Sequence, residues 1–296
     1  MDPSDEQADL DIRCVPQSEA VDVYHWLGGD SAALPVGINQ GLFEATKQGK
    51  RIGAVWANIT PGRSASIIGP KVDPDTQRPN VARLLIRAAN RYLAQRRTRL
   101  AQAAIADEDG MAAWFAEEGF QHCIAVDWMA CSIQHDGGPS GYEPPKRLVF
   151  ETYSDTLHDR LARLLEQTSR KSADSAMTHD PRPPQEILTG YRAIGRYSPN
   201  LWFIIRAQQR DVGCLLMAEH PAEQQCEIVY LGIVPAARRT GLGQASTQFA
   251  LHQAAINGYQ QLILAVDSNN GPAQAIYQKA GLICWKRQKI MLRIFG

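Results

Sequence analysis

The sequence predicts an α/β (α+β) protein that contains two tandem copies of one unit. The chain has 296 residues, which fits two domains because roughly 150 residues per domain is typical. Strand patterns and helix patterns are interleaved along the chain, and features of its first half return in its second half at a nearly constant distance. These two observations favour a duplicated fold over one large domain.

The repeat is visible in three separate features. Residues in matching local patterns lie 160, 161 and 162 positions apart: Gly53 and Gly213, Pro74 and Pro235, and Phe115 and Tyr277. Between the halves, residues 135–146 (HDGGPSGYEPPK) are rich in Gly and Pro, which interrupt helices and strands. We therefore expect a first domain at 1–134, a linker at 135–146 and a second domain at 147–296.

The second copy has the clearer element pattern. Within residues 239–259 the apolar or small side chains recur at helical spacing and Gly258 stands near the end, which indicates a helix and its stop. His220-Pro221-Ala222 is typical of a hairpin turn. The expected order is β-α-α-β-β-β-α-β-α-β, with strands near 148–153, 201–206, 213–219, 226–233, 261–266 and 289–295, and helices near 158–167, 184–194, 239–259 and 272–279.

Composition excludes several classes of function. Lys and Arg number 31 and so do Asp and Glu, so the basic surface of a nucleic-acid-binding protein is not expected. No apolar run approaches the roughly 20 residues that span a bilayer, and the acidic start lacks the pattern of a secretory signal. The six cysteines show no zinc-binding spacing. We expect a cytoplasmic protein with reduced thiols, no metal, and no nucleic-acid or membrane partner.

A turn between a predicted strand and a predicted helix, Ile233–Ala245, holds two glycines. Free amides at a helix start favour anions, so such a turn can bind a phosphate, although two glycines alone are more typical of close helix packing. Here the spacing Arg238-x-x-Gly241-x-Gly243 follows Pro235 and an apolar strand. This pattern resembles the acyl-CoA-binding motif of the GNAT acetyltransferases.

A second segment strengthens this resemblance. Residues 270–282 (NGPAQAIYQKAGL) are similar to the other signature of the family, N-x-x-A-x-x-x-Y-x-x-x-G-F, with Leu282 in place of the final Phe. The two motifs stand in the family order, and the resemblance covers residues 147–296. It implies two GNAT domains, each with a mixed, mostly antiparallel sheet flanked by helices, and a cleft for pantetheine where the fourth and fifth strands splay apart.

The resemblance also implies which residues bind the cosubstrate, acetyl-CoA. Backbone amides from Arg238 to Gly243 would hold its pyrophosphate, Leu231–Ile233 would bond pantetheine along the strand edge, and Asn270 would cap a helix or contact pantetheine. The residues expected to bind acetyl-CoA are Leu231, Gly232, Ile233, Val234, Arg238, Arg239, Thr240, Gly241, Leu242, Gly243, Asn270 and Ala273.

Acetyl transfer to a primary amine needs a base, because an amine with a pKa of about 10 is mostly protonated at neutral pH. Glu227 lies eight residues before Pro235, on the strand where many GNAT enzymes place a catalytic glutamate, and is the expected general base. Tyr277 stands at the family's acid position and would protonate the departing thiolate. The alternatives are a solvent-facing strand residue for Glu227 and a core aromatic residue for Tyr277.

The first copy lacks these signatures and is expected to be a catalytically silent GNAT-like domain. Pro79 removes a backbone donor from its turn, and Asp73 and Asp75 would repel a phosphate. Residues of the second copy are replaced in the first as follows: Arg238 by Gln77, Gly241 by Asn80, Gly243 by Ala82, Tyr277 by Phe115 and Asn270 by Glu108.

The sequence thus predicts an acetyl-CoA-dependent N-acetyltransferase whose acceptor is an amine on a small molecule or a peptide. One alternative is a non-catalytic acyl-CoA sensor, which would need the phosphate turn but neither Glu227 nor Tyr277. Another is an enzyme similar to the mycothiol synthases, which resemble this chain in their tandem architecture. The polar segment 167–184 is either a mobile lid over the acceptor or a surface loop. The sequence indicates neither the acceptor nor the oligomeric state.

Overall fold

The computed structural model describes residues 10–29, 40–76, 78–105, 110–133, 145, 148–174 and 180–296. The described residues up to Cys123, together with Lys289–Gly296, form one compact unit, and those from Ile124 to Gln288 form a second. The strands of the described part are β1 (Leu10–Cys14), β2 (Leu42–Lys47), β3 (Lys50–Thr60), β4 (Ser64–Val72), β5 (Leu100–Ile105), β6 (His122–Ser132), β7 (Leu148–Thr152), β8 (Trp202–Ala207), β9 (Arg210–His220), β10 (Gln225–Ile233), β11 (Gln261–Asp267) and β12 (Ile283–Ile294). Its α-helices are α1 (Ala20–Leu27), α2 (Arg78–Gln95), α3 (Met111–Glu117), α4 (His158–Ser169), α5 (Pro184–Tyr191), α6 (Leu242–Ile256) and α7 (Gly271–Lys279).

Each unit contains a mixed, mostly antiparallel sheet. In the first unit β1 to β5 lie in sequence order, and only β4 and β5 run parallel. In the second unit the order is β7, β8, β9, β10, β11, β6, and only β10 and β11 run parallel. The predicted fold class is therefore confirmed. None of the helices that the structure describes is long and apolar enough to cross a membrane.

The two units repeat the same element lengths. Strands β3 and β9 have 11 residues each and begin 160 positions apart, and strands β4 and β10 have nine residues each and begin 161 positions apart. From β7 to β12 the elements follow the predicted order, although α6 begins at Leu242 rather than at residue 239 and β12 begins earlier than expected. The internal repeat is thus a repeat of structure as well as of sequence pattern.

The compact units differ from the predicted domain boundaries at their last strands. Val126–Ser132 of β6 pairs with β11 in the second unit, and Lys289–Ile294 of β12 pairs with β5 in the first unit. Each sheet is thus completed by the last strand of the other repeat in sequence. Backbone pairing is nearly independent of side-chain identity, so the sequence pattern shows a strand but not the sheet it joins. The linker at 135–146 lies, except for Pro145, outside the described residues and stays a prediction.

Two apolar clusters cover the two faces of the second sheet. On one face α6 packs Ala250 and Ala254 against residues that include Leu215 and Met217 of β9. On the other face α4 and α5 pack against the alternate residues of the same strand, Cys214 and Leu216; their own buried side chains are Leu161, Leu164, Leu165, Ile187 and Leu188. The sheet therefore separates the two layers of helices, and a ligand can reach both faces of the sheet only where neighbouring strands part.

Candidate active site

Strands β10 and β11 separate halfway along their length. They pair from Gln225 with Gln261 to Ile228 with Leu264, after which β10 continues to Ile233 and β11 to Asp267. The predicted splay between the fourth and fifth strands of the second copy is therefore present. It creates a wedge in which the backbone edges of both strands face open space.

A β-bulge at the same point changes which side chains of β10 face α4. Ile228 lies opposite Met217, but Tyr230 lies opposite Leu216, so one residue of β10 is extra. Side chains alternate along a strand, and an extra residue shifts that alternation. Glu227 and Tyr230 therefore lie on one face, the face of α4 and α5, where the Tyr230 hydroxyl lies 2.9 Å from that of Thr168.

The wedge opens into a cavity of about 440 Å³. Its walls include Ile228–Ile233 of β10 and Leu264–Val266 of β11, and residues from Lys171 to Asp174 after α4 also line it. Of the predicted site residues, those that line the cavity are Leu231, Gly232, Ile233, Arg238, Arg239, Gly243, Asn270, Ala273 and Tyr277. Val234, Thr240, Gly241 and Leu242 belong to the same turn, but their atoms are not among the described lining of the cavity.

The turn before α6 presents free backbone donors. Arg239 and Gly241 have φ angles of 63° and 84°, which curl the chain, and no side chain caps the helix. The amide of Arg238 donates to the Pro235 carbonyl at 3.3 Å. Among the described residues, no backbone carbonyl accepts from the amides of residues 239–243. Such a curl at a helix start is a site suited to a phosphate, and its donors begin one residue later than predicted.

Glycine is needed at the two positions of the motif for different structural reasons. Gly241 needs its left-handed φ, although a Cβ there would meet no atom within 4 Å. At Gly243 a Cβ would lie 3.0 Å from Cδ1 of Ile276 in α7. Gly243 therefore permits close packing of α6 against α7 and also lines the cavity.

The Arg238 side chain joins the end of α4 to the end of β10. Its Nε donates to the Ile233 carbonyl at 3.0 Å, and its Nη atoms donate to carbonyls after α4 and in its last turn: Lys171 at 2.6 Å, Thr168 at 2.9 Å and Arg170 at 3.0 Å. The sequence predicted a main-chain contribution from Arg238 and missed this role. A single residue thus connects the phosphate turn with the segment that lines the cavity after α4.

Tyr277 lies in the wall of the cavity on the α6 side of the sheet. It is placed by α7, whose first turn is capped by the Asn270 side chain accepting from the Ala273 amide at 3.3 Å. The tyrosine is 8% exposed, and burial raises the pKa of its hydroxyl well above the ordinary value. Its hydroxyl therefore keeps its proton at neutral pH, as a proton donor requires.

Glu227 lies on the opposite, α4 side of the sheet and is not among the described residues that line the cavity; its neighbour Ile228 is. Its Oε2 atom is 2.8 Å from Nε2 of His220, and the hydrogen bond to Glu227 raises the pKa of His220. His220 belongs to neither of the sequence motifs. The register of the β9–β10 hairpin, in which His220 pairs with Gln225, puts His220 and Glu227 on one face.

Two of the equivalent positions of the first unit hold buried apolar side chains, whereas Asn80, at the position of Gly241, is exposed and accepts a hydrogen bond from Arg83. Phe115 is fully buried and packs edge-to-face on Phe120 with ring centres 4.8 Å apart, and Ala82 is buried in the core. Gln77 and Glu108 lie outside the described residues, so their predicted correspondences are untested. Residues 175–179 of the predicted lid are also outside them.

Part of the second unit is similar to known acetyltransferases. Residues 163–282 match the model of the acetyltransferase (GNAT) family. The chain is 28% identical over 110 residues to mycothiol acetyltransferase of Streptomyces griseus subsp. griseus, covering 36% of each protein. It is 30% identical over 90 residues to that of Streptomyces scabiei, covering 30% of this chain and 29% of the relative. These matches span only about a third of the length of either relative.

Solved structures show that the whole chain has a GNAT-like fold. A GCN5-related N-acetyltransferase from Sphaerobacter thermophilus aligns over 96% of this chain and 95% of its own, with a TM-score of 0.64 and 17% identity. A tandem GNAT protein from the clavulanic acid biosynthesis pathway aligns over 97% of this chain and 99% of its own, with a TM-score of 0.52 and 14% identity. The predicted tandem GNAT architecture is thus confirmed at the level of fold.

Replacing Arg238 should loosen the end of α4. We expect Arg238→Ala to lower the free energy of unfolding by about 1–3 kcal/mol, because four carbonyls exchange a charged donor for water. Hydrogen exchange at residues 168–171 should accelerate. The matched control is Arg239→Ala, since Arg239 is exposed and its side chain makes no hydrogen bond to a described residue. Equal hydrogen-exchange rates in the two variants would show that the hydrogen bonds of Arg238 do not order residues 168–171.

Proposed function

We propose that the second unit transfers an acetyl group from acetyl-CoA to a primary amine by direct attack, and that the first unit is catalytically silent. The observation that carries this proposal is the cavity between β10 and β11, which has free amides at one end and Tyr277 in its wall. Curated relatives that are mycothiol acetyltransferases support acetyl transfer, although over only part of their length.

The cavity suits the shape and charge of acetyl-CoA. The amides of residues 239–243 would hold the pyrophosphate, and the unpaired edge of Leu231–Ile233 would hydrogen bond to pantetheine as a neighbouring strand would. The thioester would then lie at the base of the wedge, near Ile228 and Leu264, where the two strands part. At this position it is accessible from both faces of the sheet.

The two proton transfers of the reaction would take place on opposite faces of the sheet. The amine would approach on the face of Glu227, which accepts its proton directly or through water while nitrogen attacks the thioester carbon. When the carbon–sulfur bond breaks, the Tyr277 hydroxyl on the other side would give its proton to the CoA thiolate. Glu227 thus takes up one proton and Tyr277 releases one, and the products are an amide and CoA.

His220 would hold the Glu227 carboxylate in place. Its Nε2 atom lies 2.8 Å from Oε2 of Glu227, and this hydrogen bond fixes the orientation of the carboxylate. His220 is a positioning residue in this proposal, because it acts through Glu227.

The first unit would lack this chemistry for two reasons. Phe115 carries no hydroxyl to donate, and Ala82 is packed into the core where the second unit has Gly243 in the cavity wall. A sensor that binds acyl-CoA without catalysis is the second candidate. The separation of Glu227 from the cavity lining favours it, and a protein that binds acetyl-CoA but acetylates no amine would establish it.

Distorting the phosphate turn should weaken acetyl-CoA binding. At a φ of 84° a β-branched residue is strained, so we expect Gly241→Val to redirect the free amides and to lower the affinity about tenfold or more in calorimetry. The matched control is Gly258→Val, because Gly258 has a φ of 80° and equally open surroundings but lies after α6. Undiminished affinity in Gly241→Val would exclude the turn as the phosphate site.

Removing the Tyr277 hydroxyl should slow the reaction without weakening acetyl-CoA binding. We expect Tyr277→Phe to lower kcat about 100-fold, which is the usual contribution of a positioned acid, because the proton is needed only when sulfur departs. Tyr259→Phe is the control, since that buried hydroxyl bonds to Glu219 outside the cavity. If kcat is the same for Tyr277→Phe and the wild type, Tyr277 is not the acid.

The pH dependence of kcat/KM should report the protonation of His220. Since the pKa of His220 is raised above 6.5, activity should increase as pH rises through that pKa, because charged His220 competes with the amine for the Glu227 carboxylate, and His220→Gln should remove this limb. Glu227→Gln should be slow at neutral pH and recover partly at high pH. One amine is used throughout, so that its own ionisation cancels between variants. An unchanged limb in His220→Gln would contradict the coupling.

The same pair links pH to stability. A raised His220 pKa means that the folded protein binds this proton more tightly than the unfolded chain. The stabilisation is therefore complete below about pH 6.5 and is lost as pH rises through the raised pKa. This stabilisation is thus largest where His220 is protonated, the form in which activity is expected to be lowest.

A further inference from the structure

A second cavity, of about 470 Å³, lies on the second sheet. Its side-chain walls come from β6, β11 and the first half of β12, and they include Trp128, Ala130, Ile263, Ile283 and Trp285. We call this cavity the tryptophan groove. All its described lining residues belong to the second unit.

Strand register puts the tryptophan groove on the same face as Glu227. Glu227 pairs with Ile263, and Ile263 pairs with Ala130, so these three side chains form one row across three strands. Residues paired in register point to the same side of a sheet. The general base proposed above is therefore at the end of a row whose other two members line the groove.

The groove also adjoins the acyl cavity. The next row on this face contains Ala265 and Trp128, which pair across β11 and β6. Ala265 lines the cavity at the parting of the strands, and Trp128 lines the groove. A molecule lying in the groove would therefore have one end beside Glu227 and the place proposed for the thioester.

The side chains of the groove are apolar or uncharged. Trp285 is 62% exposed and Ile283 is 69% exposed, and such large apolar side chains are costly to leave in water when they are clustered. The polar members are Ser132, Gln225 and Gln261, and the two glutamines bond to each other at 2.9 Å. As far as the described lining shows, the groove contains no Asp, Glu, Lys, Arg or His.

We propose that the tryptophan groove binds the acceptor, and that the acceptor is a primary amine on an uncharged, largely apolar body. This inference rests on the proposed function and specifies its substrate class. Trp128 and Trp285 would be the specificity-determining residues, because their rings supply most of the apolar contact area that such a body can cover. A peptide or sugar amine with charged or hydroxylated groups would leave these groups without partners against the rings and isoleucines.

The test compares 2-phenylethylamine with ethanolamine. Both carry a primary amino group, but ethanolamine has a short polar body in place of the apolar ring. Binding of each amine is measured by calorimetry in the presence of CoA, and acetylation is measured separately with acetyl-CoA. We expect the wild type to bind 2-phenylethylamine at least about tenfold more tightly. Trp128→Ala and Trp285→Ala should each remove most of this preference, while the affinity for acetyl-CoA stays unchanged.

Two features of the chain allow a loss of amine binding to be distinguished from misfolding of the variant. Trp285 is mostly exposed, so Trp285→Ala removes no core residue. Lys286→Ala is the matched control, because Lys286 is exposed and is adjacent on β12, where alternation directs it away from Trp285. This control should bind 2-phenylethylamine as the wild type does.

The outcomes separate the groove from the proposed function. If both tryptophan variants bind 2-phenylethylamine within twofold of the wild type, or if glucosamine binds the wild type more tightly than 2-phenylethylamine does, the groove proposal is overturned. If binding follows the expected pattern but no amine is acetylated, the groove proposal is supported and the acetyltransferase function fails. If amines are acetylated without any dependence on the tryptophans, the function stands and the groove proposal fails.

Discussion

The site depends on an interruption in backbone hydrogen bonding between two parallel strands. Beyond Ile228 and Leu264, β10 and β11 no longer pair, so the polar groups along their facing edges need a ligand or water. The bulge at the same position puts Glu227 and Tyr230 on one face. The interruption therefore supplies both a binding edge and a passage between the faces of the sheet, and the proposed acid and base stand on opposite sides of that passage.

The first unit shows that this wedge is a property of the fold, whereas the chemistry is a property of the side chains. Its strands β4 and β5 also pair only in part, from Ser64 with Leu100 to Ile67 with Ala103, while β4 continues to Val72. In both units, the two parallel strands thus pair along only part of their length, which allows a wedge between them. What differs is Phe115, which is packed against Phe120, where the second unit has Tyr277 in a cavity wall.

The sequence predicted those parts of the candidate site that are local in the chain. The turn before α6, the Asn270 cap and Tyr277 each lie within a short motif, and the order of elements from β7 to β12 follows from hydrophobic periodicity. The contacts of Arg238 with carbonyls some 70 residues away, and the partner of Glu227, depend on long-range packing or on strand register. Side-chain patterns do not encode such pairings, which is also why the exchanged last strands were not predicted.

The exchanged strands give a physical reason for the first copy to remain in the chain. Strand β6 is the last strand of the first repeat in sequence, but its residues from Val126 to Ser132 pair with β11 and complete the sheet of the second unit. Without β6, the backbone edge of β11 would be unpaired, and the row that runs from Glu227 through Ile263 would lose Ala130. The same strand carries Trp128 into the tryptophan groove. The second unit therefore needs the last strand of the first repeat, whether or not the first unit has chemistry of its own.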